Sequence, residues 1–249
     1  MNTVRCSIFF NIFLFALLVS ALFGCATTSQ MGPVKIAPYV AQFNYTVASQ
    51  SPLLNEITFT VTNPVYQTQN KIMWFSAPQF GNLRDALRED LPEILMSKGF
   101  NVLGPYDSDD LIPFPDKKKI DFVLGPKFKV AVTLKDHKAE VESIWTAPPV
   151  YDLTGNAEVK GEITLELREV ITRELMWRKV IPFEKFTFPY FIRSPRTNEF
   201  KISYIMNDIA RGVERQYPEI MAMLNTLIDP EEMKILQKQA QEIKHRQGY

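Results

Sequence analysis

The sequence predicts an α+β fold: an antiparallel-rich sheet packed by two or three helices in a single domain. Three observations predict it. Ala157 to Val170 alternates strictly, with Val159, Gly161, Ile163, Leu165 and Leu167 on one side and Glu158, Lys160, Glu162, Thr164 and Glu166 on the other, the period of a half-buried strand. Thr172-Arg173 form a tight turn and Leu175 to Phe188 runs back, which makes a hairpin. Leu83, Leu87, Leu91, Ile94 and Leu95 recur at spacings of three and four, the apolar stripe of a helix that lies on a core.

In chain order, the first element is not part of the fold. Met1 to Arg5 carries one positive charge, Ile8 to Phe23 is apolar apart from Asn11 and Ser20, and Leu22-Phe-Gly-Cys25 follows. A charged start, an apolar core and small residues at the cut define a secretory signal, here residues 1–24. Leu22 and Gly24 before Cys25 make a lipobox, so Cys25 is expected to become the diacylglyceryl-modified, palmitate-bearing N-terminus. The apolar run is about 16 residues against the ~20 of a spanning helix. Two or three acyl chains, at about 0.8 kcal/mol per buried CH₂, hold a domain firmly where one holds weakly. Ala26, in place of an inner-membrane retention Asp, permits export to the outer membrane.

Residues 25–33 are small and polar and read as the lipidated tether. The domain is expected over 34–228, with 229–249 as a charged C-terminal helix. Phe43-Asn-Tyr45 reads as extended. Glu56 to Val65 alternates Ile57, Phe59, Val61 against Thr58, Thr60, Thr62 and ends at Asn63-Pro64, a strand. The helix over Phe80 to Gly99 starts at Gly81 or Asn82, stops at Gly99 and contains Pro92, which predicts a kink. Phe100 to Leu103 reads as a short strand, Asp107 to Lys119 as a polar loop, and Ile120 to Leu134 as one or two strands. Val141 to Val150 holds Trp145 and the turn-forming Pro148-Pro149. Pro189 to Lys201 reads as an aromatic, basic loop. Ser203 to Ile228 is helical, and Asp229-Pro230 opens a last, mostly solvated helix with an N-cap and a proline in first position.

Composition excludes several functions. The chain has two cysteines; Cys6 leaves with the signal and Cys25 takes the lipid. The exported protein then has no disulfide and no thiol chemistry. Loss of Arg5 leaves 27 basic against 28 acidic side chains, so no overall field favours nucleic acid. There is no phosphate-binding glycine loop, no metal-ligand constellation and no internal repeat. His137, in Lys-Asp-His-Lys, reads as a turn residue and His245 as solvated. Neither suits a nucleophile–histidine pair, so no enzyme activity and no cofactor are expected. Binding has two candidate surfaces: Trp145 and Tyr151 flanking Pro148-Pro149, and Phe186, Phe188, Tyr190 and Phe191 among Lys185, Arg193, Arg196 and Lys201. The first pair reads more readily as rings that plug the edge of the core, and the second set as a loop packed by its own aromatics.

Phe43-Asn-Tyr-Thr-Val-Ala-Ser49, Gly99-Phe-Asn-Val-Leu, Asp107-Ser-Asp-Asp-Leu111, Leu167-Arg-Glu-Val-Ile-Thr-Arg-Glu-Leu175 and Ala222-Met-Leu-Asn-Thr-Leu occur in that order ahead of a Lys/Gln/Glu helix. Together they resemble the neuraminyllactose-binding hemagglutinin family, the adhesin A lipoproteins of Helicobacter. The resemblance implies an outer-membrane lipoprotein of the cell surface or flagellar sheath that binds sialylated glycans. It places the family's basic sugar-binding run at Val132 to Lys138, where Lys135 and Lys138 are the cations and Asp136 opposes them. The candidate ligand-binding residues are therefore Lys135, Lys138, Trp145 and Tyr151. The alternative is a structural or assembly lipoprotein of the outer membrane or flagellar sheath that acts through a protein partner.

Overall fold

The computed structural model describes residues 42–47, 56–67, 78–143, 150–194 and 198–246. Cys25, the signal and tether, and Trp145 lie outside the described residues. The expected α+β architecture is present, built on one seven-stranded sheet. Its strands are β1 (Thr58–Val61), β2 (Val65–Gln67), β3 (Asn101–Val102), β4 (Phe122–Ser143), β5 (Val150–Glu169), β6 (Leu175–Pro182) and β7 (Phe186–Ser194). The order is β3-β1-β4-β5-β6, with β2 also beside β4 and β7 also beside β5.

The sheet is mixed rather than wholly antiparallel. β1 pairs parallel with β3 and with β4, and β2 pairs parallel with β4. The cause is the long connection after β2. Helix α1 (Pro78–Ser97) carries the chain back before β3 begins, and a return through a helix delivers a parallel strand. The strand expected over 56–65 divides: Thr62 bridges Tyr106, and Val65 opens the separate strand β2. β4 pairs antiparallel with β5, and β5 with β6 and β7. The hairpin at Thr172-Arg173 forms as expected, with Leu167 opposite Trp177.

β4 and β5, of 22 and 20 residues, are far longer than ordinary strands. They flank each other from end to end, and on its other side neither has a single neighbour along its whole length. The first half of β4 meets β1 and β2, and the second half of β5 meets β6. The chain then breaks at Phe183-Glu184-Lys185, and β7 takes up the first half of β5. The aromatic loop expected from Pro189 is therefore strand as far as Ser194. Phe186, Phe188, Tyr190 and Ile192 do alternate, but Pro189 hides the pattern. The structure tolerates that proline because β7 takes its described partners from β5 alone. Lys135 to Lys138, read as a turn, lies inside β4 as a bulge.

One face of the sheet carries the helices. α1 buries Leu83, Leu87, Leu91, Ile94 and Leu95 as its spacing predicts. It starts at Pro78, and it runs through Pro92 to Ser97. Gly99 sits at φ 83° and closes the end, with Phe100 N–H donating to Leu95 O at 3.2 Å and Gly99 N–H to Met96 O at 2.9 Å. A short helix, α2 (Phe114–Lys117), lies in the 103–121 connection. α3 (Met206–Leu227) buries Ile209, Val213, Tyr217, Ile220, Met221 and Leu224. Gly212 lets it approach β7, since a Cβ there would run into the Phe186 ring. α4 (Pro230–Arg246) is capped by Asp229, whose Oδ1 accepts from Glu231 N–H at 2.7 Å and Glu232 N–H at 3.1 Å. It buries the stripe Met233, Leu236, Ala240 and Ile243 and exposes much of the rest. Phe43 packs edge-on to Tyr217, 5.2 Å between ring centres. No helix among the described residues is long and apolar enough to cross a membrane.

Candidate functional site

Alternation along β4 and β5 sends every second side chain to the face without helices. Near β1 that face is covered by Ile112, Ile120, Val123 and Val170, a small second core. Beyond it the face is a ladder of ion pairs, most of them between strands. Lys127 Nζ and Arg168 Nη2 both approach Glu166 Oε2, at 2.8 and 2.6 Å. Lys129 Nζ stands 3.3 Å from Glu162. Lys135 Nζ is 2.6 Å and Lys185 Nζ 3.3 Å from Glu158 Oε2. Glu158, Glu162 and Glu166 fall four apart on β5, so all three share the face.

The charges set each other's protonation. Burial pushes the Glu166 carboxyl up, but hydrogen bonds from Lys127 and Arg168 outweigh it and hold it below the ordinary carboxylate value. Hydrogen bonds from Lys135 and Lys185 hold Glu158 below its ordinary value, and the same contact with Glu158 holds Lys135 above its own. A cavity of about 110 Å³ opens beside Glu166, lined by Thr62, Gly125, Lys127 and Arg168, with Val65 and Asp109 at its edge.

The candidate residues separate on this frame. Lys135 is on the helix-free face, and its ammonium is engaged by Glu158. Lys138 is on the same face and exposed, with no ion-pair partner among the described residues. It stands opposite Thr154, which stands opposite Phe191. Lys138, Thr154 and Phe191 therefore form one row across three strands, and Phe191 is 68% exposed. The neighbouring row is Lys135, Asn156 and Pro189. Tyr151, opposite Val141 and Ser194, points to the other face. The structure thus brings together Lys135 and Lys138 and does not bring Tyr151 to them.

The device that re-aims this part of β4 is the bulge between Lys135 and Lys138. Asp136 adopts φ 54°, a conformation that Asp tolerates better than most residues. His137 then projects to the helix side, where its Nδ1 lies 2.7 Å from Tyr190 Oη. The Phe200 ring packs against both, with centroids 5.7 Å from His137 and 5.1 Å from Tyr190. Gly155 makes room: a Cβ there would meet Tyr190 Oη at 2.6 Å and Lys135 O at 3.0 Å. His137 is a strand residue with a hydrogen-bond partner, and not the turn residue expected. The signal for it was Gly155, a lone glycine inside a strand pattern, which marks a bulge or a close approach.

Phe191 is the surface residue that the sequence pattern understated. It lies in the aromatic, basic segment, but only the register shows that it faces away from Phe186, Phe188 and Tyr190. Among the described residues the arrangement offers an exposed ring, an adjacent hydroxyl and amide, and a cation, Lys138, with no ion-pair partner. Among the described residues no group of three His, Cys, Asp or Glu side chains is placed to hold a metal.

No family model and no curated protein matches the sequence. The fold does match solved structures. A neuraminyllactose-binding hemagglutinin homolog from Helicobacter pylori superposes with a TM-score of 0.56 at 16% identity, over 79% of this chain and 98% of that one. A hypothetical protein from Chlamydia trachomatis gives 0.31 at 10% identity, over 68% and 96%. A lipoprotein from Neisseria meningitidis gives 0.21 at 10% identity, over 66% and 99%. The first is a distant relationship of fold, and the other two scores carry no argument.

Proposed function

We propose that this chain is a lipid-anchored envelope protein that binds acidic glycans on the helix-free face of its β4–β5 arm. The observation that carries the reading is the row Lys138–Thr154–Phe191. An exposed aromatic ring stacks on the apolar face of a sugar, and adjacent strands about 4.8 Å apart put Thr154 and Lys138 within reach of its hydroxyls and of a carboxylate. Lys138 supplies the charge as a point cation rather than as the fork an arginine presents. Lys135 is assigned to holding Glu158. The lipobox at Cys25 supports the anchor, and the fold shared with a protein titled a hemagglutinin homolog is consistent with an adhesin.

The test is a glycan array probed with residues 26–249, followed by titration of the best ligand. Sialylated glycans are expected to bind. Phe191→Ala and Lys138→Gln should each weaken binding by roughly tenfold or more, the scale of one stacking or charged contact, and Lys135→Gln by less. An array with no preference for acidic sugars overturns the reading.

A second reading has an observation of its own. Val141 is exposed on the helix side of the same arm that exposes Phe191 on the other. An arm with an exposed apolar side chain on each face suits burial in a protein partner, as in a structural or assembly lipoprotein of the outer membrane or flagellar sheath. Retention of an envelope protein by the wild-type arm, lost on Val141→Ser, favours this alternative.

A further inference from the structure

The connection between β3 and β4 displays a second surface far from the glycan row in sequence. Leu111 is 61% and Phe114 55% exposed, three residues apart. They are held out by a rigid scaffold. Ile112, between them, and Ile120, after them, are buried in the second core. Leu111 N–H donates to Ser108 O at 3.1 Å, Asp116 N–H to Pro113 O at 2.9 Å and Ile120 N–H to Asp116 O at 3.0 Å. Tyr106 Oη donates to Asp116 Oδ2 at 2.9 Å and braces the turn from beneath. The exposure of both residues is therefore built in.

Three consecutive lysines, Lys117, Lys118 and Lys119, follow the exposed ring. Lys118 Nζ sits 5.0 Å from the Phe114 ring centre. Lys117 and Lys119 form no ion pair among the described residues. Two of the segment's four aspartates face arginines, which leaves Asp109 and Asp116 against the three lysines. Asp107 accepts from Asn63 and faces Arg88, Asp110 pairs with Arg173, and Asp116 takes the Tyr106 hydroxyl. Asp109 turns to the cavity beside Glu166.

We propose that residues 107–119 are a membrane-docking turn, in which Leu111 and Phe114 enter the interface of an anionic bilayer and Lys117 to Lys119 meet lipid phosphates. A bilayer fits better than a protein partner. Lysine is depleted at protein interfaces, where arginine and aromatics dominate. A ring flanked by lysines is the pattern of interfacial anchors, and each basic residue near an anionic surface strengthens binding about fivefold. The proposal goes beyond the anchored-protein reading and rests on it only in placing the domain beside a membrane. It would give the domain a fixed orientation there.

The test uses residues 26–249 without lipid. Every buried core residue named lies between Phe43 and Ile243, so this chain keeps the whole described core. Sedimentation with vesicles of phosphatidylethanolamine and phosphatidylglycerol is compared with pure phosphatidylcholine, at low and high salt. The anionic vesicles are expected to bind on the order of 100-fold more tightly, and salt should remove most of the difference. Lys117→Gln/Lys118→Gln/Lys119→Gln should abolish the preference, and Leu111→Ser/Phe114→Ser should lower binding to both vesicles by roughly tenfold or more. Lys234→Gln/Lys238→Gln, on α4, should change nothing. Because Leu111 and Phe114 are exposed, their variants should melt as the parent does. Absence of vesicle binding, or binding that ignores the first two variants, overturns the proposal. The mass of the N-terminal residue tests acylation separately, so either idea can fail while the other stands.

Discussion

At the scale of single residues, two carboxylates, one buried and one half-buried, show how chemistry and place decide energy. Glu169 is fully buried at the end of β5. Its Oε2 accepts from Ile171 N–H at 3.0 Å, Thr172 N–H at 2.6 Å and Thr172 Oγ1 at 2.8 Å, and Oε1 faces Lys244 at 3.5 Å. One side chain thus ties the β5–β6 turn to α4. Glu169→Ala strands those donors and leaves Lys244 with the Ile120 carbonyl but no counter-charge, so a loss of about 3–5 kcal/mol is expected in urea unfolding. Asp90 is the opposite case. Burial holds its carboxyl above the ordinary 3.8, although the Tyr217 hydroxyl, donating at 2.6 Å, pulls the other way. A raised folded value means that the stability Asp90 contributes is complete below the unfolded value and falls as pH rises through the folded one. Asp90→Asn keeps an acceptor for Tyr217 and removes the ionisation. The variant is expected to gain on the parent as pH climbs above the carboxylate range, measured by denaturation at both ends. An advantage that does not vary with pH would contradict this assignment.

At the scale of elements, what the sequence revealed depended on whether a pattern was interrupted. The stripe Leu83–Leu87–Leu91 and the alternation from Val159 to Leu167 were legible because burial repeats without a break, and both elements form. Pro92 did not end α1. β7 was missed because Pro189 sits mid-strand, and the bulge at Asp136 was missed because Lys-Asp-His-Lys has the composition of a turn. The parallel pairings of β1 and β2 were not legible, since no local pattern says where a strand's neighbour comes from. The last helix read as mostly solvated, yet its four-residue stripe reaches the core. Gly212 carries the contact between α3 and β7. Alanine there gains about 1 kcal/mol of helix propensity but drives a methyl into the Phe186 ring, at a cost of about 1–3 kcal/mol. Gly212→Ala is therefore expected to lower stability by about 1 kcal/mol, and Gly212→Ala combined with Phe186→Leu to recover most of it.

At the scale of the whole molecule, the sheet divides its labour by face. The long helices and the main core occupy one face, and the other, beyond the small second core near β1, carries an ordered lattice of charge that ends in the row of Lys138, Thr154 and Phe191. The ion pairs neutralise most cations on that face, which is why the candidate site narrows from two lysines to one. Sequence alone placed Lys135 and Lys138 side by side, but their different roles follow from Glu158, which is distant in sequence and adjacent in register. Tyr151, read as an exposed ring flanking Pro148-Pro149, stands on the other face. The measurement that tests the central claim most directly is backbone NMR of residues 26–249 titrated with sialyllactose. Saturable shift changes centred on Lys138, Thr154 and Phe191, with little change at Tyr151 and along α4, are the result expected. Saturable shifts that cluster on the helix side, or a spectrum unmoved by the sugar, would contradict it.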